Sequence, residues 1–151
     1  MDVQGKKILI TGGTGHLGSN LIQFLVDRRE VKPSDIRVLY PRGSPVNNVQ
    51  DIQGLDLHAG DITNLASVKE AMAGCQLAWH VAGNTTFDPF KREAQWMVNV
   101  EGTRNVLEAA RATRSIERVV YTSTVNTLGA PNPAGSLGSE ETSPYVPETR
   151  S

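Results

Sequence analysis

Apolar and polar positions along the chain fall into two alternating periods. Short apolar runs at Lys7–Thr11 ("KILIT"), Ile36–Tyr40 ("IRVLY"), Leu55–Ala59, Leu77–Val81 ("LAWHV") and Glu117–Thr122 ("ERVVYT") have strand length. Longer segments between them repeat at helical spacing. His16–Arg29 carries Leu17, Leu21, Phe24 and Leu25, and Asn64–Ala73 carries Leu65, Val68 and Met72 before a stop at Gly74. Glu93–Ala112 carries Met97, Val100, Leu107 and Ala110. Strands alternating with helices predict right-handed crossovers and a parallel sheet covered on both faces, an α/β fold. The fifth strand is expected at an edge of that sheet. Beyond residue 128 the alternation stops: 129–151 holds half of the eight prolines with many Gly, Ser and Thr, and predicts no regular element.

Composition narrows this only slightly. The 151 residues suit one sizeable core, with 38% hydrophobic and 21% charged residues. A net charge of −1, with acids and bases mixed along the chain, argues against nucleic acid or an anionic membrane as partner. Cys75 is the single cysteine, and His16, His58 and His80 have no ligand-like spacing, so no metal centre is expected. The start of the chain is neither a signal peptide nor a membrane span, which makes a cytoplasmic setting the default.

The chemistry concentrates in "ILITGGTGHLG". Gly13-x-Gly15-x-x-Gly18 and Gly12-x-x-Gly15-x-x-Gly18 both fit glycine fingerprints for a dinucleotide. One glycine makes the tight turn and another admits a pyrophosphate close to the backbone. The third lets helix pack on strand, and the helix N-terminus faces the negative charge. The motif follows an apolar strand and opens an amphipathic helix, as the fingerprint requires. An acid for a ribose 2′-hydroxyl is expected about 20 residues on, at the end of the second strand. Tyr40, Pro41 and Arg42 stand there instead, and an arginine suits a 2′-phosphate. NADP is therefore expected over NAD.

From these motifs the chain resembles the extended short-chain dehydrogenase/reductase superfamily, the NAD-dependent epimerase/dehydratase group. It looks most like the dihydroflavonol-reductase-like and sugar-epimerase-like members. "TGGTGHLG" resembles the family's phosphate loop, "GDIT" (60–63) its adenine-contacting motif, and "HVAG" (80–83) its ribose segment. "NVEGTRNVLEAA" (99–110) is similar to its central helix and "VVYTSTVNTLG" (119–129) to its active-site strand and turn. The resemblance implies a Rossmann-like doubly wound parallel sheet over residues 1–128, with five strands present and the later strands missing. It implies cofactor contacts from Gly12, Thr14, Gly15, His16, Leu17, Gly18, Arg42, Asp61, Ile62, Val81, Ala82, Gly83, Thr85 and Thr122. Thr124, with Ser123 as its alternative, would supply the active-site hydroxyl, and Asn99 would sit at the catalytic centre in the central helix. Plainer readings stand beside these. Asp61 could cap the helix after it, Asn99 could bond the preceding turn, and His80, Trp79 and Trp96 could be packing residues.

The family's acid/base chemistry needs a tyrosine with a lysine four residues on. Tyr40, Tyr121 and Tyr145 are followed at that distance by Ser44, Val125 and Thr149. The chain is accordingly expected to hold the cofactor half of an oxidoreductase or epimerase acting on a small molecule or nucleotide sugar. It is expected to be inactive alone, with a homodimer only for a longer protein. A dinucleotide-binding regulator is the alternative.

Overall fold

The computed structural model describes residues 2–86, 88–124 and 127, and the chain divides into two units, 1–121 and 122–151. The expected boundary at 128, the irregular stretch 129–151 and Tyr145 lie outside the described residues.

In the first unit a five-stranded parallel sheet has the order β3-β2-β1-β4-β5. The strands are β1 (Ile8–Thr11), β2 (Ile36–Tyr40), β3 (Asp56–Ala59), β4 (Leu77–His80) and β5 (Arg118–Tyr121). The expected α/β Rossmann-like sheet is thus present, with β5 at one edge. The helices are α1 (His16–Arg29), α2 (Leu65–Met72), α3 (Arg92–Trp96) and α4 (Thr103–Ala112). Side chains alternate across the strands, so β1 feeds two cores. Ile8 and Ile10 join Val38 and the α1 residues Ile22 and Leu25 on one face. Leu9 joins Leu39, Val68 and Met72 of α2, and Val106 and Ala109 of α4 on the other. All four β1 residues are buried. Each such side chain contributes about 1.5–3 kcal/mol, and Ile10→Ala should cost about 2–5 kcal/mol.

Asn64 starts α2: its side-chain oxygen accepts from the Ala66 and Ser67 N–H groups at 3.0 and 3.2 Å. That N-cap also shows that Asp61 is not the cap. Its carboxylate instead accepts from the Thr63 N–H at 2.8 Å, a local turn two residues long.

Two helix faces differ from the apolar pattern. In α1 the buried residues are Gly18, Ile22 and Leu25, while Leu17 and Phe24 are half exposed. A glycine opens the packing face because the first turn of the helix comes too close to the Gly12–Gly13 backbone for any side chain. Hydrophobicity alone does not reveal that. The segment expected as one regular helix, 93–112, is α3 and α4 joined by a π-helical turn over Met97–Gly102. The wider turn breaks the 3.6-residue period. Gly102, Val106 and Ala109 therefore face inward, and Met97 and Leu107, expected inside, are exposed. Trp79 packs against the core, but Trp96 is 44% exposed.

The amino ends of the strands are tied by charge. Asp56 bridges Lys7 and Arg37, both at 2.8 Å, and Lys6 pairs with Glu117. Arg37 also donates to the Ala71 and Ala73 carbonyls, 2.9 Å each, at the end of α2. Burial pushes the Asp56 carboxyl up, but bonds and charges from Lys7 and Arg37 outweigh it and hold it below its ordinary value. Buried Cys75 has its thiol pushed up by burial, which keeps it unreactive.

Candidate functional site

The strand order reverses between β1 and β4: β2 and β3 lie to one side of β1, β4 and β5 to the other. Loops leave the carboxyl ends of β1 and β4 on either side of that reversal, the usual ligand position in open parallel sheets.

The four glycines after β1 have different physical reasons. Gly12 has φ +71°, and a Cβ on it would stand 2.7 Å from the Ala82 backbone, so the two diverging loops touch main chain to main chain. On Gly13 a Cβ would meet Val38 Cγ1 at 2.7 Å. On Gly18 it would collide with the Gly12 carbonyl and lie 2.7 Å from Gly13 Cα, which sets how closely α1 approaches. Gly15 stands apart. It is exposed, its backbone is extended (φ −77°), and its nearest neighbour would be the Gly12 oxygen at 3.3 Å. Gly15 is also the N-cap of α1, with no side chain to satisfy the first N–H groups and no acid in the first turn. His16 and Leu17, both exposed, begin the helix there. The result is an open helix N-terminus with room for an anion against the backbone.

The flanking loops carry the other expected contacts. The Thr14 carbonyl accepts from Asn48 Nδ2 at 2.9 Å, which ties the glycine loop to the long loop after β2. Arg42 begins that loop, is exposed, and makes no ion pair among the described residues. Asp61, after β3, is exposed as well. Ile62 is buried in the core against Gly102, so only its backbone could face a ligand. Its carbonyl accepts from Asn105 Nδ2 at 2.9 Å.

Val81, Ala82 and Gly83 leave β4 beside the glycine loop, followed by exposed Thr85. The segment is held at two points. The Ala82 N–H donates to Thr11 Oγ1 at 3.3 Å. Asn99, inside the π-helical turn, pairs with the Asn84 backbone in both directions: its Oδ1 accepts from the N–H at 2.7 Å and its Nδ2 donates to the carbonyl at 2.9 Å. That explains a poor helix former at this place, for its amide serves the loop rather than the preceding turn. Gln95, one turn earlier, donates to the Asn84 and Thr86 carbonyls at 3.3 and 3.2 Å. His80 is buried, as expected of a strand-end histidine, between Thr11 and Thr103. Burial lowers its pKa to about 4, so it is neutral at physiological pH.

Thr122 and Thr124 follow β5 in the chain, in the second unit. There the Thr124 carbonyl accepts from the Thr127 N–H at 3.1 Å and its hydroxyl at 2.7 Å. Thr11, Asn48, Gln95 and Thr103 hold these loops without being singled out in the sequence, although Thr11 opens "TGGTGHLG", Thr103 lies within "NVEGTRNVLEAA" and Gln95 stands four residues before Asn99. Among the described residues no cluster of His, Cys, Asp and Glu could hold a metal, and no helix is long and apolar enough to cross a membrane.

A parallel sheet of this order, with a glycine-built and uncapped helix N-terminus at its switch point, defines a Rossmann-like α/β protein. The chain belongs to the 3-beta hydroxysteroid dehydrogenase/isomerase family, whose model matches residues 9–149. The placement in the extended short-chain dehydrogenase/reductase superfamily therefore holds. It is 38% identical over 120 residues to a putative dihydroflavonol 4-reductase of Synechocystis sp., covering 80% of this chain and 33% of that protein. It is 33% identical over 142 residues to sterol demethylase protein B of Methylococcus capsulatus, covering 93% and 41%. Among solved structures it resembles the Bordetella bronchiseptica enzyme WbmG in complex with NAD and UDP. There the TM-score is 0.74 at 26% identity, covering 95% of this chain and 44% of that one. The chain thus spans well under half the length of these relatives.

Proposed function

We propose that the chain is the dinucleotide-binding part of an NAD(P)-dependent oxidoreductase or epimerase acting at a carbonyl or hydroxyl carbon of a small molecule or nucleotide sugar. One observation carries this. Gly15 is the glycine of the loop that neither a positive φ nor a contact under 3.0 Å within the fold demands, its added Cβ meeting only the Gly12 oxygen at 3.3 Å, and it stands at an uncapped helix N-terminus. A pyrophosphate lying against it would supply the reason. The names of the relatives support the same reading.

In this reading the N–H groups of His16 and Leu17 receive the pyrophosphate, with Gly12, Thr14, Gly15 and Gly18 shaping the loop. Asp61 and the Ile62 backbone flank the adenine. Arg42, free of any ion pair among the described residues, pairs with a 2′-phosphate and so favours NADP over NAD. Val81, Ala82, Gly83 and Thr85 line the ribose beside the nicotinamide, with Thr122 near it. A bound nicotinamide dinucleotide would supply hydride exchange. Thr124 orients the substrate oxygen by hydrogen bonding, and Asn99 holds the ribose segment through Asn84. A threonine hydroxyl is a poor proton donor or acceptor near neutrality. With no tyrosine followed by a lysine four residues on, the 151-residue chain alone is proposed to bind cofactor without turnover.

The test is calorimetric titration of the chain with NADPH and NADH, alongside Gly15→Val. Wild type should bind NADPH more tightly than NADH, and the variant should bind neither while keeping its circular dichroism. Undiminished binding by Gly15→Val would overturn the assignment. Turnover by the short chain on ketones, alcohols or nucleotide sugars would show that another acid/base is present.

A further inference from the structure

The buried polar groups around His80 form one connected path whose protons can all be placed. Thr103 Oγ1 lies 2.7 Å from the Asn99 carbonyl, which only accepts, so the single hydroxyl proton of Thr103 is committed there. The same oxygen lies 2.9 Å from His80 Nε2, which must therefore carry the proton of that contact. A neutral ring protonated at Nε2 leaves Nδ1 as an acceptor, so Thr11 Oγ1, 2.7 Å away, donates to it. Thr11 Oγ1 in turn accepts from the Ala82 N–H at 3.3 Å. The path runs from the Ala82 amide through Thr11, His80 and Thr103 to the Asn99 backbone. The Asn99 side chain then closes it on the Asn84 backbone. Tyr121 of β5 stacks on the imidazole, with ring centroids 5.3 Å apart and planes at 19°.

We propose that His80 is a positioning residue: as the Nε2–H tautomer it couples the end of β1 to the π-helical turn and thereby fixes residues 82–84 from both sides. Neither threonine reaches the other, and the ring spans the gap between β1 and α4. A phenylalanine could fill the space but would leave the Thr11 hydroxyl proton without its acceptor and the Thr103 oxygen without its donor, which is costly. That this matters for a cofactor rests on the dinucleotide reading above, since 82–84 is the segment assigned to the ribose. The coupling itself exists in the chain without any ligand.

The experiment separates the two. Imidazole ¹⁵N spectra of the ligand-free chain at neutral pH should show a single His80 tautomer, with Nε2 protonated and Nδ1 bare. In Thr103→Val, which keeps shape and removes the hydroxyl, the tautomer signature should be lost and the Ala82 and Asn84 amides should exchange faster. In Thr103→Ser both should stay as in wild type. NADPH affinity should follow the same order, falling about tenfold in Thr103→Val, as for one lost buried hydrogen bond, and recovering in Thr103→Ser. A mixed or charged imidazole in wild type would overturn the proposal, as would equal amide exchange in the valine and serine variants. If wild type binds no dinucleotide, the functional reading falls and the tautomer and exchange data alone judge the positioning.

Discussion

The two ends of the sheet are built from different chemistry. At the amino ends, Lys7, Arg37 and Asp56 neutralise one another within 2.8 Å, and Lys6 pairs with Glu117. At the carboxyl ends, the groups that hold the loops are hydroxyls, amides and one neutral imidazole, and the charges present, Arg42 and Asp61, are exposed. The amino end spends most of the charge at its strand starts on contacts within the fold. The carboxyl end holds its backbone with neutral groups and leaves a helix N-terminus and a guanidinium unpaired. Charge is paired at one end, and at the other a helix N-terminus stays uncapped.

That contrast can be broken in order of effect. Gly12→Ala should be the most damaging. It forces an alanine to φ +71° and drives its Cβ into the Ala82 backbone, for a loss of about 3 kcal/mol in a urea titration. Gly15→Val, three residues on, should cost less, about 1 kcal/mol, because valine is a poor N-cap and its Cβ meets the Gly12 oxygen at 3.3 Å. If the two behaved alike, the separation of packing glycines from a binding glycine would fail.

The second test uses pH. The unfolded chain protonates His80 near its ordinary value of 6.5, while the folded chain resists until about 4. The unfolded state therefore binds more protons in that window, and stability should fall as pH drops from 6.5 to 4, by up to about 3 kcal/mol. Asp56, whose folded pKa is lowered, adds to the loss at still lower pH. Urea denaturation at several pH values, repeated on His80→Gln, should show the upper part of the slope vanish in the variant.

Arg42→Ala should weaken NADPH by about 1.5–3 kcal/mol and leave NADH and the urea midpoint unchanged. Equal losses for both cofactors would mean the arginine does not meet the 2′-phosphate. Smallest of all, Asp56→Asn should cost about 1 kcal/mol of stability, as partly exposed ion pairs do. Cofactor affinity should not change. A drop in affinity there would mean the two ends are coupled.

Local regularity made much of the molecule readable from sequence. Apolar runs marked the strands to within a residue or two, Asn64 and Gly74 bracketed α2, and the glycine spacing located the loop after β1. Each of these is decided by neighbours a few positions away. The sequence did not disclose which face of α1 is buried, because the glycine that begins that face contributes no hydrophobicity. Nor did it disclose the π-helical turn, which shifts the buried face of α4 onto Gly102, Val106 and Ala109. The Thr11–His80 contact spans 69 positions, Thr14–Asn48 spans 34, and His80–Thr103 spans 23. Such pairs meet only once parallel strands and crossing helices set the distances, because a hydrogen bond needs its atoms within about 3 Å. The sequence by itself determined the order of elements and the place of the glycine-built loop after β1. The tertiary structure alone decided which neutral groups hold the loops there in shape.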